Sequence, residues 1–170
     1  MDKLLILSDS HGLTHELTEI KERHQVDHLI HCGDSELDMD APELEEYLKV
    51  GGNCDDDIRF PEEQIVDTGG LKILFVHGHL HAVKKDLTTL SYRAEELGAH
   101  VACYGHTHVA DARQVDRQLF INPGSIRLPR GRSEKTYCIM EWENKNHIVI
   151  TFYEVNGKKV EDLSYVASLE

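Results

Sequence analysis

The chain has 170 residues, 40% of them hydrophobic, with 31 acidic against 18 basic side chains and a formal net charge of −13. That size and apolar content predict a single domain over 1–170 with a sizeable core, and the acidic balance argues against general nucleic-acid binding, because such a surface repels phosphates. The four cysteines (Cys32, Cys54, Cys103, Cys138) contain no Cys-x-x-Cys pair, and the first apolar run, Leu4 to Leu7, is too short for a signal peptide or a membrane span. The expectation is therefore a cytoplasmic protein with reduced thiols and no membrane association.

Leu4 to Leu7 has the continuous apolar character of a strand buried on both faces. The segment 13–24 places Leu13, Leu17 and Ile20 at helical spacing, and 28–32 is a second short apolar strand. The segment 41–48 has helical composition with Pro42 in its first turn. A third strand is expected over 48–51. The runs 64–67 and 72–76 flank Gly69-Gly70, a hairpin signal. Leu87, Leu90, Ala94 and Leu97 mark one face of a helix over 87–98, with Gly98 as its stop. The segments 114–121, 136–143 and 147–155 are predicted as antiparallel strands joined by polar turns. Units of strand and helix come first and hairpins after, which predicts an α/β fold with two mixed sheets packed together and helices outside.

Potential metal ligands follow five of the apolar runs: Asp9, Asp34, Asn53, His77 and His106. Ligands of open α/β sheets bind at the carboxyl ends of strands, so a shared sheet would set all five at one edge. His108 lies two residues beyond His106, and His11 two beyond Asp9. In extended chain such residues point the same way, about 6 to 7 Å apart, a separation that suits two side chains approaching two metal ions about 3.5 to 4 Å apart. The other histidines have plainer readings. His15, His24, His28, His100 and His147 are expected to be exposed or hydrogen-bonded, His31 to be satisfied within the core, and His81 to have no ligand role. His79 either lines the site or does not. Asp55, Asp56 and Asp57 are expected to be a solvated charge run.

Taken in order, DSHG (9–12), GD (33–34), GGNCD (51–55), HGH (77–79) and GHTH (105–108) resemble the signature of the calcineurin-like metallophosphoesterases, over roughly three-quarters of the chain, as far as NPGS at 122–125. The short length and the GNCD form resemble the small bacterial and archaeal phosphodiesterases of the YfcE type. The resemblance implies a four-layer α-β-β-α sandwich and a two-metal site. In it Asp9, His11 and His108 would hold one ion, Asn53, His77 and His106 the other, and Asp34 would bridge both. Asp34 and Asn53 would also be catalytic. It implies hydrolysis of a small phosphodiester or nucleotide-like substrate by hydroxide activated between the two ions. Nitrogen and oxygen donors suit Mn²⁺, Fe, Co²⁺, Ni²⁺ or Zn²⁺, and Mn²⁺ is the usual activator of similar enzymes. Many relatives carry histidine where this chain has Cys54. The arginine of the protein phosphatases is missing from GDSELD, which disfavours phosphoprotein substrates. Cys54, His79 and Arg127 are candidate substrate contacts, and Arg130 and Arg132 complete a basic cluster after NPGS. A phosphomonoesterase or nucleotide pyrophosphatase would use the same site, and the retromer-coat subunit with this fold is a protein-binding scaffold. Oligomeric state is open, a dimer included.

Overall fold

The computed structural model describes residues 1–170. Its first sheet contains β1 (Asp2–Leu7), β2 (His28–His31), β3 (Leu48–Lys49), β9 (Thr136–Asn144), β10 (His147–Glu154) and β11 (Tyr165–Ala167). The spatial order is β11-β10-β9-β1-β2-β3, parallel from β1 to β3 and antiparallel elsewhere. The second sheet contains β4 (Glu63–Thr68), β5 (Leu71–Val76), β6 (Val101–Cys103), β7 (Asp111–Val115) and β8 (Gln118–Asn122). Its order is β4-β5-β6-β8-β7, with β5, β6 and β8 parallel. Both sheets are mixed. The two α-helices are α1 (His15–Arg23) and α2 (Thr88–Glu96).

Strand alternation explains the layers. Successive side chains leave opposite faces of a sheet. Leu4 and Ile6 of β1 join Ile73 and Phe75 of β5 in the large central cluster, so the two sheets pack face to face. Leu5 and Leu7 face the other way and meet Leu17 and Ile20 of α1. Leu74 and Val76 likewise turn outward to Leu90 and Ala94 of α2. The result is α1, first sheet, second sheet, α2: the four-layer α-β-β-α sandwich that the family resemblance implies.

Three elements differ from expectation. The 41–48 segment contains only a 3₁₀ turn at Pro42–Leu44. Tyr47 is drawn inward, its hydroxyl donating to the Leu17 carbonyl at 2.7 Å, and β3 starts at Leu48. Too few residues remain to offset the cost of starting an α-helix. The 114–121 segment is not one strand but the end of β7 and most of β8, reversed at Asp116 with φ 54°. Aspartate tolerates that left-handed geometry better than most residues, so no glycine marks the turn. Finally, β11 has only three residues, Val166 among them exposed, and carries no alternating pattern long enough to see.

Candidate metal centre

The five strand-end residues do not share a sheet. Asp9, Asp34 and Asn53 follow β1, β2 and β3 of the first sheet; His77 and His106 follow β5 and β6 of the second. The loops of both sheets meet through hydrogen bonds. Asp9 N–H donates to the Gly33 carbonyl at 3.0 Å, and Gly105 N–H to the His77 carbonyl at 2.9 Å. Across the junction, His106 N–H donates to Asp9 Oδ2 at 3.0 Å.

The backbone there is not extended either. Asp9, His11, Asp34, His106 and His108 have φ of 55°, 43°, 59°, 70° and 63°. Only eight non-glycine residues in the chain have positive φ, so most of that strain sits in one cleft. Each such residue costs on the order of 1–2 kcal/mol, and strain of this kind clusters at functional sites. The expectation that His106 and His108 point the same way from extended chain is therefore corrected. Left-handed turns send them to two different clusters.

The first cluster joins Asp9, His11 and His108; the second joins Asp34, His77 and His106. Within each, the donor atoms lie within 4.8 Å of one another. Asp9 Oδ1 lies 3.1 Å from His108 Nε2, 3.6 Å from His11 Nε2 and 3.7 Å from His77 Nε2. Asp34 Oδ2 lies 3.1 Å from His77 Nε2 and 3.9 Å from His11 Nε2, between the clusters. His11 Nε2 and His108 Nε2 are 3.2 Å apart.

The outward ring nitrogens are already committed. His77 Nδ1 is 2.8 Å from the Cys32 carbonyl, and His108 Nδ1 is 2.8 Å from the Leu128 carbonyl. A carbonyl accepts only, so both Nδ1 atoms carry the proton and both Nε2 atoms face the cleft as bare acceptors when the rings are neutral. Asp9 Oδ1 and His77 Nε2 are buried without a hydrogen-bond partner. Leaving such atoms unpaired costs about 1–3 kcal/mol each. Converging lone pairs without protons between them fit divalent cations, and the carbonyl-bound histidines match the usual support of metal ligands.

Electrostatics point the same way. Burial opposes ionisation of Asp9, but His108, His11, His77 and Ser8 outweigh it and hold its carboxyl well below the usual carboxylate range. Burial also opposes ionisation of Asp34, and His77 with the Cys54 N–H overcomes it and lowers its pKa. In return Asp9 raises the pKa of His11, while Asp34 and Asp9 raise that of His77 against its burial. The carboxylates draw protons onto His11 and His77 when no other positive charge is present, whereas burial and then His77 push the pKa of His106 down to about 4.

The sequence matches the calcineurin-like phosphoesterase superfamily domain over residues 3–145. The chain belongs to this superfamily. It is 50% identical over 162 residues to the probable metallophosphoesterase YsnB of Bacillus subtilis (strain 168), covering 94% of this chain and 95% of the relative. A crystal structure of a conserved uncharacterized protein, a predicted phosphoesterase from Streptococcus pneumoniae TIGR4, superposes with a TM-score of 0.94 at 35% identity, covering 98% of this chain and 97% of that one. Vps29 from Chaetomium thermophilum shares the fold with a TM-score of 0.75 at 18% identity, covering 98% and 96%.

In this chain, six of the seven expected ligand positions fall in the two clusters. The seventh, Asn53, is exposed, and its amide nitrogen faces Cys54 Sγ at 3.6 Å. Cys54 is exposed too, and its N–H donates to Asp34 Oδ1 at 2.9 Å. Burial, then the carboxylates of Asp34, Glu36 and Asp55, push its thiol up to about 11. The His79 ring stands 5.5 Å from His77 and 6.2 Å from His106, so it lines the site. His81 belongs to neither cluster. His31 is buried, with Nε2 2.8 Å from Ser10 Oγ and Nδ1 accepting from Gly33 N–H, a satisfied core histidine. Arg127 donates to the His11 carbonyl, beside the site. Arg132 is bound instead by Glu134 and Asp162, so the expected basic cluster is split.

Supporting residues escaped the sequence analysis. Asp55 is not a solvated charge: its carboxylate accepts N–H groups of Gly52 at 2.7 Å, Asp34 at 2.9 Å and Glu36 at 2.8 Å, tying the β2 and β3 loops together. Asp57 likewise accepts from Met39 N–H. Ser8 Oγ donates to Asp9 Oδ2 at 2.6 Å, and Ser125 Oγ to the Asp9 carbonyl at 2.8 Å. Asn122 Nδ2 donates to Gly105 O and Thr107 Oγ1, fixing the loop that carries both histidines. Asp55 and Ser8 adjoin predicted ligands, and Asn122 and Ser125 lie in NPGS; position beside a motif was the available signal.

Proposed function

We propose that this phosphoesterase is a two-metal phosphodiesterase acting on small phosphodiesters, with Mn²⁺ as its working ion and Zn²⁺, Ni²⁺, Co²⁺ or Fe as substitutes. The carrying observation is the pair of donor clusters with buried, unpartnered atoms aimed between them. Divalent ions held by such donors lower the pKa of water and orient the attacking and leaving oxygens of a phosphate ester. The chain's own part is positional. Asp9 and Asp34 supply negative charge at the two clusters, and the Asp34 Oδ2 position between His77 and His11 suits a bridge. Cys32 and Leu128 carbonyls fix the tautomers of His77 and His108. On this reading Asn53 completes the ligands of the second ion, and Cys54, His79 and Arg127 contact the substrate.

Cys54 narrows the substrate. It stands next to Asn53, its N–H donating to Asp34 Oδ1 at 2.9 Å, and a thiol there does not replace a positioned imidazolium as proton donor. A positioned acid of suitable pKa is worth about 10²- to 10⁴-fold in rate, and this chain has cysteine where many relatives have histidine. Substrates with acidic leaving groups, which need no protonation, are favoured. The buried, unpartnered donors of the two clusters support metal binding, and turnover in the assay below separates the enzyme reading from a metal-holding scaffold.

The test is steady-state kinetics of the Mn²⁺-loaded protein on bis(4-nitrophenyl) phosphate and 4-nitrophenyl phosphate. The expected result is higher kcat/KM on the diester, lost on chelation and restored by metal. Activity that survives chelation would overturn the metal mechanism, and preference for the monoester would favour the phosphomonoesterase alternative.

A further inference from the structure

A groove of about 710 Å³ adjoins the cleft on the second-sheet side. Its volume is that of a small-molecule site. Thr107, which lines it, stands between His106 and His108, and Arg130, another lining residue, donates its N–H to the His108 carbonyl at 2.9 Å. The groove therefore shares a wall with the candidate metal centre.

Its charge is opposite to that of the chain. Lys84, Lys85, Arg113 and Arg130 line it against two carboxylates, Asp86 and Asp111. Asp111 is taken by Arg113 at 2.9 Å, and Asp86 accepts the Thr88 N–H at 3.0 Å. Lys84, Lys85 and Arg130 have no carboxylate partner within 4.0 Å, in a chain of net charge −13. The two lysines are held by a tight turn: Ala82 has φ 52°, Lys85 N–H donates to its carbonyl at 2.9 Å, and Val83 is buried against Gly78. Tyr104 and Val109 add an apolar strip to the lining of the groove.

We propose that this groove binds a second anionic group of the substrate, so that the preferred diester carries a further phosphate on an organic moiety such as a nucleoside. The apolar strip takes the organic part and the uncompensated cations take the phosphate, while the ester phosphorus sits at the neighbouring clusters; this rests on the phosphodiesterase reading above. The chain's net charge repels long polyanions, but attraction within the groove acts inside a Debye length of about 8 Å at physiological salt. A small doubly anionic ligand gains where a polynucleotide does not.

The test is calorimetric binding of thymidine 3′,5′-bisphosphate and thymidine 5′-monophosphate to the Mn²⁺-loaded protein at low and physiological salt. The expected result is about tenfold tighter binding of the bisphosphate at low salt, as a few exposed charge pairs supply, shrinking as salt rises. Lys84→Ala/Lys85→Ala should abolish the preference. Lys158→Ala/Lys159→Ala, which removes equal charge from an exposed site that does not line the groove, should keep it. Equal affinities in the unaltered protein would overturn the proposal, as would a preference that survives the first pair of changes or falls equally with the second. A protein inactive on aryl diesters that still shows the lysine-dependent preference would overturn the phosphodiesterase reading and support the subsite.

Discussion

Replacing Asp34 by asparagine is expected to lower kcat/KM on an aryl diester by about 10³-fold, roughly 4 kcal/mol of transition-state stabilisation at 1.36 kcal/mol per decade. The side chain keeps its shape, so the Cys54 N–H can still find an oxygen. What disappears is the negative charge between His77 Nε2 at 3.1 Å and His11 Nε2 at 3.9 Å. If Asp34 bridges as proposed, both clusters lose an anionic donor at once. The fold should not suffer in proportion, because the metal-free protein also loses the repulsion between Asp9 and Asp34. His81→Ala is the control: its side chain belongs to neither cluster, and activity should stay near the unaltered level. Kinetics and metal titration of both variants decide. An active Asp34→Asn protein beside an inactive His81→Ala protein would show that the donor set is misassigned.

Gly105→Ala is the second change with a large expected effect, and its cause is steric. The added Cβ would collide with Ser8 Oγ and Asp9 Oδ2, and Ser8 Cβ would lie at 3.0 Å. Ser8 and Asp9 are both 0% exposed, so neither can swing aside. Forcing an extra methyl into a packed site costs about 1–3 kcal/mol of stability. It also pushes Asp9 out of its cluster, so metal affinity should fall sharply as well. Gly105 is not among the residues with positive φ, and backbone strain is no part of the penalty. Gly70→Ala is the contrasting case. Its φ is 79° and a Cβ there meets nothing within 4 Å, so the cost should be conformational strain alone, with metal affinity unchanged. Urea denaturation with calorimetric metal titration separates the two. Unchanged metal affinity in Gly105→Ala would contradict the packing argument.

The parts of the molecule visible in the sequence are those governed by burial. Leu4 to Leu7 and Lys72 to Val76 are apolar at every or nearly every position because both faces of each strand are covered, one by the other sheet and one by a helix. The metal-ligand types stand out because they interrupt those runs at the strand ends. The sequence does not show which strands share a sheet, since a run covered on both faces looks the same in either one. Nor does it show that Asp9, His11, Asp34, His106 and His108 turn left-handed, because that geometry is imposed by bonds between distant loops, such as Asp9 N–H to Gly33 and His11 N–H to Asp34. Asp55 looked like one of three solvated acids for the same reason: its three N–H partners include Asp34 and Glu36, some twenty residues earlier in the chain. Arg132 looked like a companion of Arg127 until Asp162, thirty residues later, took its guanidinium.

The central claim is that the two donor clusters hold two ions. The most direct test is elemental analysis of protein purified without chelator, saturated with Mn²⁺ and freed of unbound metal. Two ions per chain is the expected result, with Asp34→Asn binding fewer. A content near zero in the unaltered protein would contradict the account.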